Sequence, residues 1–327
     1  MIAKRAIPLA VLATVFGLDN LAAAQTYPSR PITMIVAYAA GGPTDATARI
    51  VANGMRTSLG QPVIVENVAG ANGTIGTGRV AHAAANGYTI VFGNWNTHVA
   101  NGAVYALAYD LVKDFEPVAL VGSVPTLIVA KKAMPANDLK ELVVWLKANP
   151  GKASAGTGGV GGSTGQVGGV LFQNVTGTRF GFVPYRGAGP AMQDLLAGRI
   201  DLMFDTAANS LPPLRAGLIK AYAVMAKDRI GIAPDIPTAD EAGLPGLRLS
   251  AWFAVFAPAG TANNIIGKLN FAIVETLADP TVRHRLADIG QEIPRSEQQT
   301  PEALTAFQRA EIEKWWPIIK AAGIKAE

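Results

Sequence analysis

Short apolar runs alternate along the chain with longer stretches of mixed apolar and polar positions. The runs Ile32–Ala37, Val63–Val65, Thr89–Phe92, Thr126–Ala130, Leu202–Phe204, Ala221–Met225 and Trp252–Phe256 predict β-strands. Several are apolar on consecutive positions rather than alternating, as expected for strands covered by helices on both faces. Asp138–Ala148 reads as a helix, with Asn137 as N-cap and Asn149-Pro150-Gly151 as its stop. Ala191–Ala197 reads as a short helix closed by Gly198. A last helix starts with Thr300 as cap and Pro301 in its first position, and Gly323 ends it. Leu304, Phe307, Trp315 and Ile318 fall on one stripe of that helix. The alternation predicts an α/β fold with mostly parallel sheets and helices on both faces.

Two segments read as crossings between domains, Val121–Ala130 and Ser250–Gly260. Their placement predicts a first lobe of residues 25–124 plus 251–327 and a second lobe of 125–250, joined by a hinge.

The residues that carry chemistry lie in glycine loops. Ile32–Ala37 runs into Tyr38-Ala39-Ala40-Gly41-Gly42, and a helix opens at Pro43. A strand–glycine–helix junction leaves backbone N–H groups free, backed by the positive end of the helix dipole, and so makes an anion site. Ala40, Gly41, Gly42 and Thr44 are its candidates. Asp45, in the first helical turn, would repel an anion unless turned away, so it reads as shaping the loop. A second cluster runs from Gly156 to Gly165, with Thr157, Gly158, Gly159, Ser163 and Thr164 as candidates for a facing nest. A third loop brings Arg186, able to pair a carboxylate bidentately or to remain a surface arginine. Asp205 ends an apolar strand, where open α/β sheets bind ligands; capping the next helix is its other reading. Tyr38, Trp95, Asn96 and Phe204 are placed to wall a ligand body.

Competing chemistry fits poorly. Gly156-x-Gly158-x-x-Gly161 matches the dinucleotide fingerprint, but Gly162–Gln193 holds no Asp or Glu to bind a ribose. Gly161-Gly162-Ser163-Thr164-Gly165 matches a hydrolase elbow, which needs an apolar strand before the serine. Five glycines within Gly156–Gly162 make a poor strand, and His284 is the only histidine downstream. The three histidines lack ligand spacing, so no metal site is expected. Neither catalytic residues nor a cofactor are expected.

The N-terminus reads as an export signal. Lys4 and Arg5 precede the apolar Ala6–Leu18, and Ala22-Ala23-Ala24 offers a cleavage site before Gln25. The apolar run is short for a membrane anchor, which needs about 20 residues. Residues 1–24 are therefore expected to be removed and the protein to reside in the periplasm. The chain has no cysteine, which excludes disulfides, thiolate sites and a cysteine lipid anchor. Loss of Lys4, Arg5 and Asp19 with the leader takes the net charge from +4 to +3. No basic run suggests nucleic acid.

Further motifs recur in order along the chain. Gly41-Gly42-x-x-Asp45-x-x-Ala48-Arg49 is followed by Glu66-Asn67-x-x-Gly70-Ala71-x-Gly73 and Asn86-Gly87-Tyr88-Thr89. Then come Asp114-Phe115-x-Pro117-Val118, Val183-Pro184-Tyr185-Arg186-Gly187 and Asp194-Leu195-Leu196-x-Gly198. Pro237-Thr238-x-x-Glu241-x-Gly243 and Trp252-x-x-x-Phe256-x-Pro258 complete the series. Together they resemble the receptors of the tripartite tricarboxylate transporter family, also called Bug or TctC-type receptors. The resemblance runs from Pro31 to Gly323. It implies a two-lobed, type II-like periplasmic binding protein, monomeric, that closes on a small carboxylate and hands it to membrane permease subunits. It also implies that Tyr38–Asp45 and Thr157–Thr164 grip the carboxylate. Two stretches depart from the family pattern. Tyr38-Ala39-Ala40 stands where Phe-Pro is frequent. Ser163-Thr164-Gly165-Gln166 replaces a Pro followed by His-Leu. Both lie in the expected cleft, so the resemblance leaves ligand identity open. A secreted hydrolase using Ser163 and a receptor for a membrane sensor are the alternatives.

Overall fold

The computed structural model describes residues 27–159 and 161–325; the leader read from residues 1–24 lies outside them. In chain order the elements of the first part are β1 (Ile32–Val36), α1 (Pro43–Leu59), β2 (Val63–Asn67), α2 (Thr74–Ala81), β3 (Thr89–Asn94), α3 (Asn101–Val104) and β4 (Phe115–Lys131). The next part holds α4 (Leu139–Ala148), β5 (Ser154–Thr157), α5 (Thr164–Thr176), β6 (Gly181–Pro184), α6 (Ala188–Leu196), β7 (Leu202–Thr206), α7 (Ala207–Arg215) and β8 (Ile219–Val224). The chain ends with β9 (Ser250–Pro258), α8 (Asn263–Ala278), α9 (Pro280–Asp288) and α10 (Pro301–Ala321).

The strands lie in the order β2-β1-β3-β9-β4-β7-β5-β6, with β8 also on β4. Pairing is parallel among β2, β1 and β3 and among β7, β5 and β6, but antiparallel wherever β4 or β9 takes part. The fold is thus a mixed α/β sheet whose parallel parts are outermost. The long strand β4 joins the halves. Its residues Phe115–Pro125 pair with β9, and Thr126–Lys131 pair with β7 and β8. The prolines fit this division. Pro117 sits at a register shift, and Pro125 stands where β4 changes partners, so neither N–H is missed from a regular ladder.

Apolar side chains fill both faces of the sheet. One cluster packs β1 and β3 against α1 and α8; the other gathers Trp95, Trp252, Phe256 and Trp315 under α10. The apolar residues of β1 and β3 are sealed from water, as parallel strands between helix layers require, and only Thr33 and Thr89 in them are partly exposed.

The element boundaries depart from the sequence pattern in informative ways. Asp138, not Asn137, caps α4, and its side chain accepts from the Glu141 N–H. The stripe buried on α10 is Leu304, Gln308, Trp315 and Ile319, with Phe307 and Ile318 only partly covered. Gln308 is tolerated inside because its amide donates to the carbonyls of His98 and Leu111, both at 3.0 Å. Strands β5 and β6 are short and glycine-rich or exposed, so no apolar run marked them.

Candidate functional site

A cleft of about 380 Å³ opens where the two halves of the sheet meet. From one half come the β1–α1 loop, Asn94 to Asn96 after β3, and Ala251 and Phe253 of β9. The other half supplies Gly158, the start of α5, the β6–α6 loop and Met203 to Thr206 of β7. Thr126 of β4 stands between them.

The β1–α1 loop is built by Asp45. Its carboxylate accepts from the Gly41 N–H at 2.9 Å, from Asn67 at 2.9 Å and from Arg49 at 3.0 Å. Burial pushes this carboxyl up, but Arg49, Gly41 and Asn67 together hold it below the usual carboxylate range. The Gly41 N–H is therefore spent on Asp45, which corrects the expectation that it serves a ligand. Gly42 is the N-cap of α1 with no side-chain cap bond, and Pro43 fills the first helical position. The remaining N–H groups of that first turn are left to water or an anion.

Tyr38 closes one side. Its hydroxyl donates to Asn94 Oδ1 at 3.3 Å and to the Asn72 carbonyl at 3.4 Å. Burial pushes the phenol well above its ordinary value, against the pull of Asn94 and Asn96, so it is a neutral donor.

In the second glycine cluster, Ser163 caps α5, accepting from the Gln166 N–H. Ser163 lies six residues beyond the end of β5, so it is not on a strand-to-helix elbow. His284 is exposed and lies 3.6 Å from Asp288. His98 is buried, stacked on Phe256, and burial pulls its pKa down to about 3. No histidine hydrogen-bonds to Ser163 among the described residues.

Two contacts tie the halves together across the cleft. Thr164 Oγ1 donates to Asn96 Oδ1 at 2.8 Å, and Asn72 Nδ2 donates to the Gly161 carbonyl at 3.2 Å. The glycines permit this approach. A Cβ on Gly159 would lie 2.9 Å from Asn72 Oδ1, and one on Gly162 would lie 2.7 Å from Val104 Cγ2.

Fourteen of the sixteen residues expected at the site border the cleft: Tyr38, Ala40, Gly41, Gly42, Thr44, Asp45, Trp95, Asn96, Gly158, Ser163, Thr164, Arg186, Phe204 and Asp205. Thr157 and Gly159 do not. Thr157 Oγ1 donates to the Gly159 carbonyl, and Gly159 is pressed against Asn72 in the seam. Trp95 and Phe204 border the cleft but also belong to the core. Trp95 packs edge-on to Trp315, and Phe204 packs with Phe172 and Phe180. Arg186 is exposed and, among the described residues, is the only Lys, Arg or His bordering the cleft. Asp205 is buried, and burial pushes its pKa up to about 6 against hydrogen bonds from Asn209 and Ser210.

Sequence reasoning missed Asn94, Thr126, Thr206 and the uncapped start of α6 at Gly187 to Pro190. Gly187-Ala188-Gly189-Pro190 before a helix was a readable signal. The threonines lie in strands that become neighbours only in the fold.

A family model described as the tripartite tricarboxylate transporter family receptor, TctC, matches residues 47–324. The chain belongs to this receptor family. Solved structures agree. MatC from Rhodopseudomonas palustris, determined with bound malate, is 40% identical with a TM-score of 0.84, covering 90% of this chain and all of MatC. The periplasmic binding protein BugD is 38% identical with a TM-score of 0.85, covering 91% of this chain and all of BugD. Rpa4515 of R. palustris, solved with adipate, is 34% identical with a TM-score of 0.86, covering 91% of this chain and 99% of its own. This protein is accordingly a periplasmic solute-binding receptor of the TctC/Bug type. Among the described residues, no helix is long and apolar enough to cross a membrane, and no cluster of three or more metal-ligating side chains occurs.

Proposed function

We propose that this receptor captures a small organic carboxylate in the cleft and delivers it to the permease subunits of a tripartite tricarboxylate-type transporter. One observation carries the reading: helices α1 and α6, from opposite halves, both begin at the cleft with no side-chain cap. The start of α5 faces the same space. Convergent N–H groups and helix dipoles favour an anion without any reactive side chain. Each charge-assisted hydrogen bond contributes about 1.5–3 kcal/mol. A few of them support micromolar binding after the costs of association.

Di- and aromatic carboxylates are the favoured ligands; the malate and adipate of MatC and Rpa4515 support the first. Residues 25–124 with 251–327 and residues 125–250 act as two lobes. They hinge near Val124 and Ser250, where β4 leaves β9. The leader of residues 1–24 is cleaved on export and the mature protein works as a monomer, without catalysis.

Calorimetric titration with dicarboxylates, aromatic acids and amino acids tests the reading; heat from at least one carboxylate is expected, and silence across the panel overturns it. Small-angle scattering with the ligand so found should show compaction, and an unchanged radius of gyration contradicts hinge closure. Turnover of p-nitrophenyl esters that Ser163→Ala abolishes would establish the hydrolase instead. A membrane sensor as partner would use the same binding chemistry; co-purification with permease subunits separates the two.

A further inference from the structure

The cleft holds a polar pair that the uncapped helix starts at α1 and α6 leave unused. Thr126 of β4 stands directly opposite Thr206 of β7. Residues so paired in antiparallel strands place their side chains on one face, with Cβ atoms about 4.5–5.5 Å apart. Both threonines border the cleft, Thr126 is 0% exposed, and among the described residues neither hydroxyl has a hydrogen-bond partner. Buried hydroxyls are nearly always bonded. Thr206 is also the N-cap of α7, yet its side chain does not cap that helix, the usual role of threonine there. Two neighbouring donors therefore lie beside an uncapped helix start. The cleft wall also carries the apolar Ala40, Met203, Ala251 and Phe253, beside polar Asn94, Asn96 and Asp205.

Resting on the receptor reading above, we infer that Thr126 and Thr206 hold the second carboxylate of an α,ω-dicarboxylate whose first carboxylate lies at the start of α1. A carboxylate offers two acceptor oxygens to the two hydroxyls and gains from the dipole of α7. An ammonium group would be repelled by that dipole. A monocarboxylate would leave both threonines unpaired.

The test is calorimetry with succinate and adipate against butyrate and hexanoate, on the wild type and on Thr126→Val and Thr206→Val. Valine keeps the shape and removes only the hydroxyl. The wild type should prefer at least one diacid, the one whose length spans the two subsites, over the monoacid of equal length by at least ten-fold. Each valine variant should cut that preference at least five-fold, and Thr126→Ser and Thr206→Ser should keep it. Thermal unfolding checks that the variants are folded, and Thr206→Ala, at the less buried position, replaces any valine variant that is not. A wild type that binds monoacids as tightly as diacids overturns the inference. So does a diacid preference that survives in both valine variants. Silence of the wild type to all four acids overturns the inference while the receptor reading stands if another acid of the wider panel binds; silence across that whole panel overturns both.

Discussion

The side-chain amide of Asn72 donates to the carbonyl of Gly161 at 3.2 Å, although the two residues belong to opposite halves of the sheet. Asn72 holds a left-handed backbone conformation, φ 50°, and its carbonyl accepts from Asn101 Nδ2 at 3.0 Å. The segment after β2 is thus fixed to its own half while its amide reaches the other. Asn72→Gly removes the amide and keeps the backbone conformation easy. It should weaken carboxylate binding about five-fold, the worth of one hydrogen bond of about 1 kcal/mol. The loss should appear in the dissociation rate measured by stopped flow. Unchanged dissociation would mean that this contact plays no part in closure.

The two aspartates at the cleft respond to pH in opposite senses. Asp45 has a depressed pKa in the fold. Its contribution is present above the ordinary carboxylate value and is lost as pH falls through the folded value. Asp205 is raised from 3.8 to about 6. Its protonated form favours the fold, so that contribution is present below 3.8 and is lost as pH rises to about 6. Asp205→Asn should flatten the stability profile between pH 4 and 6. It should also stabilise the protein at pH 8 by up to about 3 kcal/mol. Urea unfolding at pH 4, 6 and 8 measures both; a variant less stable than wild type at pH 8 contradicts the burial argument.

Ser163 is a helix cap, so Ser163→Ala should cost about 1 kcal/mol of unfolding free energy. Denaturant titration reads this directly. A variant as stable as the wild type would show that the cap bond contributes nothing.

Among the described residues Arg186 makes no ion pair, and it is exposed at the rim. Exposed charge pairs contribute about 0.2–1 kcal/mol. Arg186→Ala should therefore lower carboxylate affinity by up to about five-fold in dilute buffer, with the difference vanishing in 0.5 M salt as the charge is screened. A loss that persists in high salt would mean a direct, desolvated contact instead.

The sequence alone determined the alternation of strands and helices, the glycine loop before α1 and the loop-shaping role of Asp45. These are local matters: apolar runs, a proline at a helix start, and a carboxylate four residues from the N–H it holds. The tertiary structure decided what each loop does. Gly159 looked like part of a nest but is a gap filled by Asn72, from a segment far away in the chain. Trp95 and Phe204 read as ligand walls from the chain; the fold sets both at the cleft and also packs their rings against Trp315 and against Phe172 and Phe180. Thr126 and Thr206 gave no sign in the chain, because eighty residues separate them and only the antiparallel register of β4 and β7 sets them side by side. Side-chain neighbours across a sheet depend on register, and register is a property of the folded whole.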